Sequence, residues 1–356
     1  MQKDSLSGIY TLAILGAIVT LSVPAAADES TAIGGKMYVD ATSYDLSNDG
    51  VDSAGNGFGL DVKRFYLGVT HNFDDMWSVN VTSDFNYVAN DGETQIYVKK
   101  AYVQAKISDA FIARAGSVDL PWVPFVEDLY GYRFVENVII DRLKFGTSAD
   151  WGLHAIGKAA EGKFSYAASV INGAGYKNPT RSNSVDFEAR IAFAPVKGLN
   201  LAIGGYSGKL GKDIEGSATP PQHTAERVDA LVAYANGDLR LGAEYFQAKD
   251  WNQVTTVATD KAEGFSVWGS YNFNPNWGVF ARADSADTSK DLRPDLSDEY
   301  FNVGVVSHPR KNIDIAFVYK NEKVDGGGTV STSNGTIGGL EEGKYSEVGV
   351  WAQVAF

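Results

Sequence analysis

The sequence of 356 residues predicts an all-β fold, a 16-stranded antiparallel transmembrane β-barrel with short turns at one rim and long loops at the other. Three observations predict it. Apolar residues recur at every second position, which is the period of a strand and not of a helix. Short and long connections alternate along the chain, as in a barrel whose two rims face different compartments. The alternating segments are about ten residues long, which suits a tilted strand that crosses a bilayer.

The composition agrees with many strands and limits the chemistry. Glycine (38), phenylalanine (18) and tyrosine (18) are abundant while proline (10) is scarce, a mixture typical of strands joined by turns. The chain has no cysteine, which excludes disulfides, thiolate metal sites and cysteine nucleophiles. Its net charge of −13 argues against a nucleic-acid partner, because phosphate binding needs clustered lysine and arginine.

The N-terminal segment is predicted to direct export. An apolar run over 9–23 follows Lys3 and precedes the small residues Pro24–Ala27. This order of charge, apolar run and small residues is typical of a secretory signal peptide. We predict a cleaved signal peptide over residues 1–27 and a single barrel domain over 28–356. The alternative is an uncleaved anchor helix, but the run is shorter than the roughly 20 residues that span a bilayer.

Alternation defines the strands in order. In one clear case, apolar side chains from Val185 to Phe193 share one face, and Asp186, Glu188 and Arg190 share the other. The same pattern predicts strands near 33–44, 60–71, 77–89, 95–107, 111–119, 145–158, 163–171, 184–194, 199–208, 225–235, 239–249, 263–273, 277–287, 298–307, 312–322 and 344–356. Short links alternate with long ones throughout, so both ends of the barrel chain are expected at the short-turn rim.

Four short stretches resemble a known family. Asp61–Val69, Lys99–Val103, Arg114–Gly116 and Ile171–Gly175 are similar to segments of Gram-negative outer-membrane porins, and most like the phosphate-selective porin O and P family. The resemblance implies a barrel with short periplasmic turns and long external loops, in the outer membrane of a Gram-negative bacterium. It also implies a homotrimer.

The third long loop, residues 120–144, is predicted to narrow the barrel. A barrel of sixteen strands leaves an aqueous lumen. The loop carries Trp122, Tyr130 and Ile140 among many other apolar residues, so it has to pack against something. The resemblance implies an inward-folded constriction loop, whose polar members would line the pore: Glu127, Asp128, Arg133, Glu136, Asp141 and Arg142. The alternatives are a loop that covers a subunit interface and a loop that caps the barrel rim.

Charged residues of both signs are predicted on the lumen face of the wall. The basic residues are Arg64, Lys100, Lys106, Arg114, Arg190, Arg240 and Arg282, and the acidic residues are Asp84, Asp186, Glu188, Glu244, Asp284 and Asp314. Charged rings set ion selectivity in pores, and a mixed wall predicts no strong preference. Strict alternation gives no continuous row of lysine and arginine like those of anion-selective members. An anion or phosphate channel that uses Arg64, Lys100, Lys106 and Arg114 is the nearest alternative.

The sequence therefore predicts a porin, a passive diffusion channel for small hydrophilic solutes and ions. We expect no catalysis, no metal and no cofactor, with outer-membrane lipid and lipopolysaccharide as neighbours. A barrel enzyme or an adhesin is the alternative from another class. Gly152–Lys158 matches most of a phosphate-binding loop, but Ala159 stands where serine or threonine is needed. His154 and Ser148 could serve a hydrolase, but no third group accompanies them.

Overall fold

The computed structural model describes residues 29–88 and 93–356, so the predicted signal peptide lies outside the described residues. The barrel strands are β1 Ser30–Asn48, β2 Gly57–Asn72, β3 Trp77–Val88, β4 Glu93–Ser108, β5 Phe111–Asp119, β6 Ala149–Ala159, β7 Phe164–Ile171, β8 Asp186–Phe193, β9 Leu199–Gly208, β10 Ala225–Asn236, β11 Leu239–Lys249, β12 Lys261–Asn274, β13 Trp277–Asp287, β14 Ser297–Arg310, β15 Ile313–Asp325 and β16 Glu342–Ala355. Two short helices, α1 Val123–Tyr130 and α2 Ile139–Arg142, lie in the third long loop.

The strands form one closed antiparallel sheet. Each strand pairs with the next along the chain, and β16 returns to β1, where Tyr38 lies between Gln353 and Arg64. Closure leaves no unpaired edge that could join another sheet. The predicted 16-stranded antiparallel barrel is confirmed. The predicted start of the sixth strand is wrong: this strand begins at Ala149 rather than at 145, because Phe145 packs against Phe246 with ring centroids 5.1 Å apart. The first strand extends to Asn48, four residues beyond its predicted end.

The connections differ at the two rims as predicted. Tight turns join the strands at one rim, where both ends of the barrel chain also lie. The long loops at the other rim carry structure of their own. The first contains the two-residue strand Val51–Asp52, and the last contains a hairpin of Gly328–Thr332 paired with Gly335–Gly339. Within the described ranges, no helix is long and apolar enough to cross a membrane.

The apolar face of the barrel points outward. Ile191 on β8 is 58% exposed, whereas its neighbour Arg190 is 7% exposed. Aromatic side chains such as Trp277 lie near the short turns, and Tyr245 lies nearer the long loop that follows its strand. An apolar band flanked by aromatic residues is what a bilayer requires of a barrel surface.

The buried core lies inside the barrel, around the third long loop. Trp122, Ile139 and Ile140 from this loop are fully buried. They belong to one cluster with inward-facing wall residues, and Tyr132 stacks on Phe280 with ring centroids 4.0 Å apart. The apolar residues of the loop therefore fill part of the lumen.

Candidate constriction and its charged lining

Arginines of the wall hold the backbone of the third long loop. Arg190 donates to the carbonyl of Pro121 at 2.9 Å, and Arg282 donates to that of Asn137 at 2.5 Å. Arg240 donates to the last carbonyls of α1, those of Asp128 and Leu129, each at 3.0 Å. A backbone carbonyl that is buried needs such a donor. The loop is thus attached to the inner wall on the side of β8–β15.

Arg142 makes the reverse contact, because it belongs to α2 of the third loop and pairs with carboxylates of the wall. Its guanidinium is fully buried and pairs with Asp284 at 3.0 Å, with Asp298 at 2.5 Å and with Glu322. Arg282 pairs with the same Asp284 at 2.6 Å. A buried charge is tolerated only when it is paired and hydrogen-bonded. This cluster therefore fixes the end of the third loop to β13, β14 and β15.

The hairpin of the last long loop also contacts the third loop. Ser333 at its tip donates to the carboxylate of Glu136 at 2.6 Å, and Asn334 donates to Glu322 at 2.7 Å. Burial opposes the charge of Glu136, but the ammonium of Lys320 and the hydroxyl of Ser333 outweigh it and lower the pKa to about 2. The hairpin thus folds into the mouth of the barrel and rests on the third loop.

Three neighbouring cavities of about 340, 330 and 370 Å³ lie on the other side of the third loop, chiefly beside β1–β4 and the loop after β7. A smaller cavity of about 200 Å³ lies between the third loop and the short-turn ends of the opposite strands, lined by Gly131, Arg240 and Asp314. The 340 and 370 Å³ cavities, near the long loops, share Arg64, Lys144 and Lys177 as lining residues. The 370 and 330 Å³ cavities share Tyr38 and Arg133, and the 330 Å³ cavity extends towards the short turns. The three larger cavities therefore follow one another along the barrel axis.

Two register shifts enrich this wall in basic side chains. Between β1 and β2 the shift falls after Tyr38, so Lys63 has no partner across the strands and faces inward together with Arg64. A second shift between β3 and β4 does the same for Lys99 and Lys100. Such a bulge inserts one residue and reorients its neighbours. Strict alternation predicts only Arg64 and Lys100, and so it misses half of the basic wall.

Most of these cations have an acidic partner. Arg64 pairs with Asp84 at 2.8 Å, and Lys100 pairs with Asp119 at 2.6 Å. Lys63 pairs with Asp40 at 2.9 Å, and Arg133 of the third loop pairs with Glu127 at 2.5 Å.

Two lysines lie against tyrosine rings instead. The Lys99 ammonium is 4.6 Å from the ring centre of Tyr66, and that of Lys177 is 4.5 Å from the ring centre of Tyr97. Neither has a carboxylate within 4.0 Å in the described part of the chain. Each of these two lysines therefore has the face of an aromatic ring beside its ammonium group instead of a carboxylate.

The predicted site residues fall into three groups. Eight border the cavities or pair with a residue that does: Arg64, Asp84, Lys100, Glu127, Asp128, Arg133, Glu136 and Asp141. Four hold the third loop against the wall: Arg142, Arg190, Arg240 and Arg282. The remaining two lie apart from the third loop. Lys106 pairs with Asp109 at the short-turn rim, and Arg114 donates to Gln104.

Several residues of the site are not predicted by alternation. Lys63 and Lys99 each stand beside a second basic residue, and two adjacent basic residues in an alternating strand are the sequence signal of a bulge. Lys144 and Lys177 lie in loops, where alternation gives no direction. Arg227 faces inward in β10 and donates to the carbonyl of Phe145 at 2.6 Å, so its position in the alternation could have identified it.

The imidazole of His154 contacts the neighbouring strand, because its Nδ1 lies 2.8 Å from the hydroxyl of Ser169. In residues 29–88 and 93–356, no group of three or more histidine, aspartate or glutamate side chains is placed to hold a metal ion.

Solved structures share this architecture. An anion-selective porin from Comamonas acidovorans superposes with a TM-score of 0.66 at 14% identity, over 92% of this chain and 100% of the other. The fold is that of the outer-membrane porins. The outer membrane channel DcaP of Acinetobacter baumannii (TM-score 0.63, 13% identity, 92% and 97% covered) has the porin fold too. So does OmpT, an outer membrane protein of Vibrio cholerae, in its trimer form (0.63, 13%, 92% and 99%). No family model matches the chain, and no curated protein matches it.

Proposed function

We propose that this protein is a porin, a passive diffusion channel for small hydrophilic solutes and ions across the outer membrane of a Gram-negative bacterium. The observation that carries the proposal is the division of the lumen. The third loop packs against the side of β8–β15, and a chain of cavities with charged side chains follows the opposite side from the long loops towards the short turns. A barrel with this interior and an apolar exterior is suited to passing solutes through a bilayer.

In this proposal, residues 1–27 direct export and are removed, and residues 28–356 form the channel. The constriction is residues 120–144, and Arg133 of the loop and Tyr38 of the wall lie where two of the cavities adjoin. The charged side chains select solutes by size and field and react with none of them. No cofactor is needed, because diffusion down a gradient requires only a passage.

The outer surface supports a place in the outer membrane. Beyond the apolar band the outward positions become charged, as at Glu226 and Lys249 near the long loops, whose charged groups lie 4.0 Å apart. Lipid would contact the band. Lipopolysaccharide would lie beside the charged rim, where its phosphate groups find lysine side chains.

An uneven apolar surface supports a homotrimer. On β15 the outward apolar positions end at Tyr319, six residues from Ile313 at the short-turn end. On β2 they continue to Leu60 and to Phe58, which lies fourteen residues from the short-turn end and is 75% exposed. An apolar surface that extends beyond the lipid band marks an interaction site. A second copy would cover it, as the trimer form of the Vibrio cholerae protein suggests.

A preference for anions is the second candidate function. The bulges that add Lys63 and Lys99 to the wall favour this preference. The Comamonas acidovorans porin, which shares the fold, is described as anion-selective. Of the four residues considered for a phosphate channel, Arg64 and Lys100 border the cavities, and Lys106 and Arg114 lie apart. The favoured version is therefore a general preference for anions.

Planar-bilayer recording tests both functions. Purified protein in a KCl gradient should give large, steady conductance steps, grouped in threes if the trimer forms. Absence of steps would refute the channel. A zero-current potential shifted towards that of chloride would support the second candidate. Hydrolysis of phospholipid that disappears in His154→Ala would favour a barrel enzyme instead.

A further inference from the structure

The cavity of about 200 Å³ lies apart from the three larger ones, between the third long loop and the short-turn rim. Gly131, Tyr132 and Phe134 of the loop line one side of it. The other side is formed by the short-turn ends of strands and by the turn between β10 and β11. Gly237 and Asp238 of this turn are exposed, so the cavity opens at the short-turn rim.

Two opposite charges stand close together in this cavity. Arg240 is the second residue of β11, and Asp238 lies two positions before it, in the turn. Both line the cavity, and a span of two residues places their backbones at most about 7 Å apart. In the described part of the chain, neither side chain has an oppositely charged group within 4.0 Å. The guanidinium and the carboxylate are therefore neighbours that do not form an ion pair.

The third loop holds the guanidinium of Arg240 in place. Its Nη1 donates to the carbonyls of Asp128 and Leu129 at 3.0 Å each. Gly131, which ends α1, has a φ of 82°, and a Cβ at this position would lie 3.1 Å from Cζ of Arg240. Glycine permits both this backbone conformation and this close approach. The two carbonyls carry no net charge, so the positive charge of Arg240 is oriented but not cancelled.

The second carboxylate of the cavity, that of Asp314, already has partners. Its Oδ1 lies 2.6 Å from Nδ1 of His308, and its Oδ2 accepts a hydrogen bond from the side-chain amide of Gln353 at 2.5 Å. Nε2 of His308 in turn lies 3.3 Å from Oδ1 of Asn272. Within residues 29–88 and 93–356, the carboxylate of Asp238 accepts no hydrogen bond from the protein. Asp238 is therefore the carboxylate that this cavity offers to a solute.

The charges and the size of the cavity match a small α-amino acid. The carboxylate of such a solute can accept from the guanidinium of Arg240 while its ammonium donates to Asp238, and charge-assisted hydrogen bonds of this kind are stronger than neutral ones. Both charges of the solute are attached to one carbon atom, so it can bridge two groups that lie a few ångströms apart. The rings of Tyr132 and Phe134 would contact a short side chain, and a volume of about 200 Å³ leaves no room for a long one. An ion with a single charge would satisfy only one of the two groups.

We propose that Asp238 and Arg240 form a binding site for small zwitterionic amino acids at the short-turn rim of the barrel. The site lies on the β11–β16 side of the third loop, whereas the proposed passage follows the opposite side. The proposal therefore goes beyond the proposed channel and does not depend on conduction.

Calorimetric titration of the purified, detergent-solubilised full chain with glycine and with alanine tests the site. Both should bind saturably. Sodium acetate and methylammonium chloride carry one of the two charges each, so they should bind at least about tenfold more weakly. In Asp238→Asn the half-saturating glycine concentration should rise about tenfold, the ratio expected for one charge-assisted contact, and Asp238→Glu should restore part of the binding. Asp75→Asn, the same change in another exposed short turn, is the matched control and should bind glycine as the wild type does.

Arg240→Gln should weaken glycine binding as well, but it also removes a contact of the third loop. The unfolding temperature of each variant is therefore measured beside its binding, and Asp238→Asn, which leaves the loop contact in place, decides the proposal. No heat from glycine or alanine would overturn the site, and so would acetate or methylammonium that binds as tightly as glycine. Equal losses in Asp75→Asn and Asp238→Asn would overturn it too. Glycine binding that weakens only in Asp238→Asn supports the site even if no conductance steps appear.

Discussion

Ser333 and Glu136 are 197 residues apart in sequence, yet the hydroxyl of Ser333 donates to the carboxylate of Glu136 at 2.6 Å. Glu136 also lies 3.4 Å from the ammonium of Lys320 on β15. The third long loop is therefore held from two directions, by the wall behind it and by the hairpin of the last loop at the mouth of the barrel. Both contacts act on the same carboxylate, so the position of one loop depends on the other.

Replacing Ser333 by alanine should loosen the hairpin from the third loop. A hydrogen bond to a charged group contributes about 1.5–3 kcal/mol, and partial exposure places this one at the lower end. We expect noisier open-channel current and a slightly larger mean conductance in single-channel recordings. Ser331→Ala, an exposed position in the same hairpin, is the control. Identical current noise in the two variants would contradict the prediction.

Replacing Arg142 by methionine should destabilise the whole barrel interior. The change leaves three carboxylates, those of Asp284, Asp298 and Glu322, without their central cation. Removing one partner of a buried ionic cluster costs about 3–5 kcal/mol. We expect a lower unfolding temperature by circular dichroism. The unfolding temperature of Arg142→Lys should lie between those of the wild type and Arg142→Met. The lysine keeps the charge, but its ammonium lacks the planar guanidinium with which arginine contacts three carboxylates together.

Arg310→Met is the matched control for this change, because Arg310 is exposed at the end of β14. An unfolding temperature for Arg142→Met equal to that of Arg310→Met would show that the buried cluster does not stabilise the fold.

The barrel could be predicted from the sequence because its determinants are local. A side-chain period of two and a link length can each be counted within about twenty residues, and a bilayer imposes both on every strand. The boundaries of β9, predicted as 199–208, agree with the structure for this reason. The exception at 145–148 is informative, because Phe145 alternates like a strand residue but packs into the third loop against Phe246.

The packing of the candidate constriction, residues 120–144, could be predicted only in outline. The apolar residues of the loop show that it must pack, but its anchors come from distant strands: Arg142 and Glu322 are 180 residues apart. Each bulge, moreover, depends on one inserted residue, and a strict period of two assigns that residue to the outward face. The inward direction of Lys63 and Lys99 was therefore not predicted, although their neighbours Arg64 and Lys100 were placed correctly.

Reversing the charge of Lys99 should weaken any preference for anions. Lys99 borders the 330 Å³ cavity, and in the described part of the chain no carboxylate lies within 4.0 Å of its ammonium. Glutamate there changes the local charge by two in a confined space, so we expect the chloride-to-potassium permeability ratio to fall at least about twofold. Zero-current potentials in a KCl gradient measure it. Lys163→Glu, in an exposed turn, should leave the ratio unchanged, and an equal change in both variants would contradict the prediction.

Anion preference should also fall as pH rises through about 8, the pKa to which desolvation and Arg64 lower Lys177. A base with a lowered pKa is charged below that value and neutral above it, so the effect should be present at pH 7 and largely lost by pH 9. The charged and titratable groups that face Lys177 are Arg64, Asp84, Tyr97, Asp141, Lys144 and Tyr176. Lys177→Arg, which stays charged, should show a flat profile of permeability ratio between pH 7 and 9. A flat profile in the wild type, or an equal decline in Lys177→Arg, would exclude Lys177 as the group that titrates.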